Sequence, residues 1–77
     1  MAKRTKYENE GAELLVSYWY GNKRINVYGC WDKETPENEF DFYDLYEDDG
    51  KTQTCINEGE PFWEIPTYEE VEDFINQ

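Results

Sequence analysis

Histidine is absent from the 77-residue sequence, serine occurs once, at Ser17, and the two cysteines, Cys30 and Cys55, stand 25 positions apart. Without an imidazole, neither the serine nor a thiol has the base that usually activates it, so nucleophilic catalysis is not expected. A tetrahedral zinc site has only two thiols to draw on. Those thiols are read as free and buried in a reducing compartment, since a bridge would need their Cα atoms within about 7 Å. A calcium loop fails on spacing: with Gly50 as its sixth position, Leu45 falls first and Ile56 twelfth, where oxygen ligands are required. No metal and no cofactor are expected. A hydrolase built on a pair of carboxylates is the last of the function classes considered, because so short a chain has little volume left for a dry pocket.

Long apolar runs are also missing. None approaches the roughly 20 residues of a membrane span, and the basic start MAKRTK is not followed by the apolar stretch of a signal peptide. The expectation is a cytoplasmic protein with no membrane partner. Basic residues are scarce as well: seven Lys and Arg stand against nineteen Asp and Glu, a net charge of −12. Five of the seven fall within residues 1–24, so residues 25–77 carry sixteen acids against Lys33 and Lys51, a net of −14. Nucleic-acid affinity rests on cations that neutralise phosphate, so direct binding to DNA or RNA is not expected.

Aromatics are what the chain has in abundance: three Trp, seven Tyr and four Phe. Each buries about 150–250 Å² when packed, which offsets the small surface-to-volume advantage of so short a chain. A folded domain is therefore expected over residues 12–77, behind a polar arm at residues 1–11. The runs ELLVSYWY and RINVYGCW flank Gly21-Asn22, the signature of a hairpin with a type II′ turn. A two-residue loop sets Tyr18 opposite Ile25, Val16 opposite Val27 and Leu14 opposite Gly29 on one face. The other face then pairs Trp19 with Arg24, Ser17 with Asn26 and Leu15 with Tyr28. EFDFYDLYE reads as a third strand, with room for a bend or bulge near Phe42–Tyr43, and KTQTCIN as the returning strand after the Asp48-Asp49-Gly50 turn. PFWEIP is an extended edge or connector, confined by its prolines. In TYEEVEDFINQ, Thr67 and Glu70 have the spacing of a capping box, and Tyr68, Val71, Phe74 and Ile75 form one apolar stripe. The fold class expected is α+β: a small antiparallel sheet of about four strands with one C-terminal helix packed on it.

The stretch DKETPENEFDFYDLYEDDG, residues 32–50, holds nine carboxylates and one lysine. Alternating acids and aromatics describe a sheet with one wet face, and this reading requires no partner. A second reading is imitation of a nucleic-acid backbone, with Glu39, Asp41, Asp44, Glu47, Asp48 and Asp49 presented to a basic groove. A single extended strand is about fourfold too sparse for this, at one charge per about 7 Å against about 1.7 Å of duplex axis. The helix acids Glu69, Glu70, Glu72 and Asp73 would have to join the same surface. The partner would then be a basic protein, such as a nuclease or another nucleic-acid-binding protein. The alternative is a structural or homo-oligomeric protein-binding module, a homodimer for instance, that works through Trp19, Tyr28, Trp31 and Trp63. A non-enzymatic acidic interaction protein is the function expected from the sequence.

Overall fold

The computed structural model describes residues 11–36 and 39–77. Four antiparallel strands follow in spatial order as in sequence: β1 (Gly11–Tyr20), β2 (Lys23–Trp31), β3 (Phe42–Asp48) and β4 (Gln53–Cys55). Among the described residues there is one helix, α1 (Tyr68–Ile75), following the strands. This is the α+β architecture expected, a meandering sheet with one helix upon it. Of the expected arm at residues 1–11, all but Gly11 lies outside the described residues, and Gly11 opens β1.

The hairpin forms because Gly21 takes the left-handed φ of 68° that a type II′ turn demands at its first position. From Tyr20↔Lys23 to Val16↔Val27 the register is the expected one. Beyond Val16 it is not. A β-bulge between Leu14 and Val16 pairs Leu14 with Tyr28 and Glu13 with Gly29, instead of Leu15 with Tyr28 and Leu14 with Gly29. The bulge aims Leu15 over the bare face of Gly29, where a β-carbon would sit 2.9 Å from its Cδ1. The ring of Phe40 fills the rest of that space, 2.6 Å from the same point. Only glycine admits this approach.

β3 starts at Phe42 rather than Glu39; the irregularity expected at Phe42–Tyr43 falls at Asp41 instead, and Phe42 and Tyr43 pair in regular register with Cys30 and Gly29. β4 is shorter than KTQTCIN implies, because the chain turns away at Asn57 after Ile56 donates to the Leu45 carbonyl at 3.0 Å. The proline-bounded segment returns to the sheet through one bridge, Phe62 with Tyr43.

Alternation divides the sheet. Ile25, Val27 and Leu45 point to one face and are fully buried with Val71 of α1. Val16, Tyr18, Tyr43, Phe62, Phe74 and Ile75 pack around this core. The helix begins where its capping box forms: Thr67 accepts from the Glu70 amide at 3.2 Å, and the Glu70 carboxylate from the Thr67 amide at 2.8 Å. Eight residues are too few for a free-standing helix. Tertiary contacts hold it: Tyr68 stacks on Tyr20 at 4.4 Å and donates to the Trp19 carbonyl, while Tyr18 donates to the Pro66 carbonyl. Pro66 is buried at the helix entry and Ile65 stays exposed. Among the described residues no helix is long and apolar enough to cross a membrane.

Candidate functional site

The acids of β3 and its flanking loops separate by the period of the strand. Asp44 and Asp48 point to the face opposite the helix, while Glu47 points to the helix side and lies 3.8 Å from Lys23 Nζ. Asp48 accepts from the Gly50 amide at 2.8 Å and from Asn26 Nδ2 at 3.0 Å, with Arg24 Nη1 at 3.8 Å. Asp49 accepts from the amides of Lys51 and Thr52, at 2.9 and 2.8 Å. The Gly50 N–H, followed by the Asn26 amide, holds Asp48 below the usual carboxylate range; the Thr52 and Lys51 N–H groups do the same for Asp49. Asp32 is held down by the Glu34 amide and by Thr35 in the turn after β2. These acids build turns. Glu39 and Asp41 are exposed in the loop before β3.

A carboxylate whose pKa is lower in the folded chain adds stability above its unfolded value, near 3.9, and loses it as pH falls through the folded one. The β3–β4 turn is therefore expected to loosen below about pH 4. Replacing both acids, as Asp48→Asn with Asp49→Asn, should flatten the acid limb of a Tm-versus-pH profile while the profile between pH 6 and 8 keeps its shape.

On the face away from the helix, half of the surface is a polar network centred on Asn26, which is 1% exposed. Its Oδ1 accepts from Ser17 Oγ at 2.7 Å and Arg24 Nε at 3.1 Å. Its Nδ2 donates to Asp48 and to Gln53 Oε1, which also accepts from the Tyr28 hydroxyl at 2.8 Å. Trp19 lies beside Arg24, 5.9 Å from ring centroid to guanidinium carbon. The other half is a groove of about 240 Å³ lined by Ala12, Tyr28, Cys30, Asp44, Tyr46 and Gln53. Cys30 Sγ is 3.7 Å from Asp44 Oδ2, and burial followed by the neighbouring Asp44 charge pushes the thiol up to about 12. It stays protonated and is a donor, not a nucleophile. Both cysteines are free. Cys30 faces Phe42 while Cys55 faces Tyr46, so they sit two strands apart and about 13 Å out of register, too far to bridge.

The helix layer is different in character. Residues 52–77 contain seven acids, Glu58, Glu60, Glu64, Glu69, Glu70, Glu72 and Asp73, and no Lys or Arg. All seven are exposed. At about 100° per residue, Glu72, Glu69, Asp73 and Glu70 share an arc of about 160° on α1, and the apolar stripe takes the complementary arc. Among the described residues the ion pairs are Lys23–Glu47 and Arg24–Asp48, and neither involves this layer. The structure thus gathers the four helix candidates and sets Asp44 and Asp48 on the opposite side of the sheet. Of the aromatic candidates, Trp63 and Trp19 are 70% and 57% exposed and Tyr28 is half-buried. Trp31 is turned inward, packed at 6.1 Å from Phe40 and over Gly11, so it belongs to the core and not to an exposed surface.

The chain matches no protein-family model, no curated protein and no solved structure. What it does must be read from its own surfaces. Cys30 and Tyr46, which line the groove with Asp44, do not stand out in the sequence as site residues. They come together only through the register of β2 on β3, where Tyr28 faces Asp44.

Proposed function

We propose that the protein is a small, acidic, non-enzymatic interaction protein that meets a basic surface on a nucleic-acid-handling partner with its helix side. The observation that supports this reading is the arc of Glu69, Glu70, Glu72 and Asp73, exposed and outside any ion pair among the described residues. Charge density favours the helix over the strand. Four carboxylates over about 6 Å of helix axis amount to roughly one per 1.5–2 Å, close to the one per about 1.7 Å of duplex DNA. The turn acids add to the long-range field that steers a basic partner, although their oxygens are engaged at home.

The test is affinity capture on the immobilised protein with a rising salt gradient, run beside the variant Glu69→Gln/Glu72→Gln/Asp73→Asn. A basic nucleic-acid-binding protein should be retained, released by salt and displaced by added duplex DNA. Its affinity for the variant should be lower by about tenfold or more, as three interfacial charges at about 0.5–1 kcal/mol each imply. Capture that is indifferent to salt, DNA and the three substitutions would refute the reading. A second reading, a homodimeric binding module, draws on the exposed Leu14 and Trp19 of the uncovered sheet face. A dimer mass in light scattering at high salt would favour it instead.

A further inference from the structure

We propose that the groove on the sheet face opposite the helix receives an arginine side chain from a protein partner. This rests on the preceding reading only in that both expect a basic partner; it assigns a different face and a particular side chain. The helix, the core and the Phe62 side chain all lie on the other side of the sheet. Among the described residues, what is left uncovered on this face is a depression with two aromatic walls. The rings of Tyr28 and Tyr46 meet at 78° with centroids 5.3 Å apart, making a corner. Asp44 lines the same groove, half-buried, between Cys30 and Tyr46. A second depression of about 380 Å³ shares Asp44 and Tyr46 and adds Glu58. Among the described residues no Lys or Arg lines either one.

The chemistry narrows the occupant. A site of about 240 Å³, open to water, lies below the range of about 300–1,000 Å³ that encloses metabolites and cofactors, but it suits one long side chain. Anions are repelled by Asp44 and Glu58. An apolar side chain would bury Asp44 without a counter-charge, which is costly. Metal ions find no cage: among the described residues no three Cys, Asp or Glu side chains converge. A cation suits both features, since it is drawn to a ring face and to the carboxylate together. Arginine suits them better than lysine. Its planar guanidinium stacks on a tyrosine while donating in a fork to a carboxylate, and it sheds less hydration on entering. The neutral Cys30 thiol leaves the charge of the groove floor to Asp44 alone.

The experiment is an amide chemical-shift titration of the full chain with the blocked peptide Gly-Arg-Gly. The Gly-citrulline-Gly and Gly-Lys-Gly peptides serve as comparisons. Saturable shifts are expected at Tyr28, Asp44, Tyr46 and Gln53, with a dissociation constant in the millimolar range for a lone side chain. Asp44→Asn should weaken binding at least tenfold, and Tyr28→Leu should weaken it while retaining Asp44. Citrulline should produce no saturable shift, and lysine should bind several-fold more weakly than arginine. Shifts confined to the helix acids, equal binding of lysine or citrulline, or an Asp44→Asn variant that binds unchanged would each overturn the proposal. The helix triple variant separates the two readings. It should weaken salt-sensitive capture of the basic partner by about tenfold or more while leaving the peptide shifts in the groove intact.

Discussion

Asn57→Ala is expected to remove about 3 kcal/mol of folding free energy, measured as a lower midpoint in urea with an unchanged slope. The side chain is 2% exposed and joins three segments. Its Oδ1 accepts the Leu45 amide at 3.0 Å and lies 3.4 Å from Cys55 Sγ. Its Nδ2 donates to the carbonyls of Glu60 at 3.2 Å and Tyr43 at 3.4 Å. Where β4 stops, this one amide continues the ladder that β3 would otherwise lose. Alanine leaves the buried Leu45 N–H without its acceptor and the Glu60 carbonyl without a donor, while the Tyr43 carbonyl keeps the Phe62 amide at 3.2 Å; each orphaned group costs about 1–3 kcal/mol before water re-enters. A 77-residue domain has about 4–12 kcal/mol in all. The loss therefore takes a large part of the total, and the Leu45 amide should exchange much faster with solvent. Asn57→Asp is the sharper variant. It keeps the acceptor and replaces the donor with a second oxygen facing two carbonyls. At pH 7 it should be at least as damaging as alanine, and it should recover as acid protonates it.

Local chemistry made some of this fold legible and long-range packing hid the rest. The turn half of the hairpin follows from Gly21-Asn22 and from alternation, both contained within a dozen residues. So does the helix: Thr67, Glu70 and the stripe ending at Ile75 carry their own instructions. The bulge before Val16 does not. Leu14 and Leu15 are equally apolar, and the choice between them depends on Phe40 occupying the space over Gly29, which is eleven residues away along the chain. The early stop of β4 depends in the same way on where the Asn57 amide lands. For the acids, the sequence shows abundance but not employment. Asp48 and Asp49 could be assigned to turn building only once the amides of residues 50–52 were seen to point at them. The groove is the extreme case, because Tyr28, Asp44 and Tyr46 come from two strands whose mutual register no local pattern encodes.

The other large effect concerns the core itself. Leu45→Ala is expected to cost about 3–4 kcal/mol, within the range of about 2–5 seen when a buried leucine is truncated. Leu45 has no exposed surface, and among the described residues the fully buried members of its cluster are Ile25, Val27 and Val71. The cavity has little means of closing. Val27, directly opposite, is β-branched and stiff at χ1. The Leu45 backbone is pinned on its other side by Asn57 and by the Ile56 amide. Leu45→Met, which keeps the volume, should cost less than about 1.5 kcal/mol. Because Val71 supplies the helix side of the same core, the two positions are coupled. Truncating both should cost less than the sum of the single changes, since the second substitution enlarges a cavity already present. The measurement is a double-mutant cycle on urea midpoints. A fully additive result would mean that helix and sheet hold together mainly through the tyrosines at β1, Tyr18 and Tyr20 against Pro66 and Tyr68. The acidic arc of α1 would then owe its orientation to that polar seam rather than to the four buried aliphatic side chains.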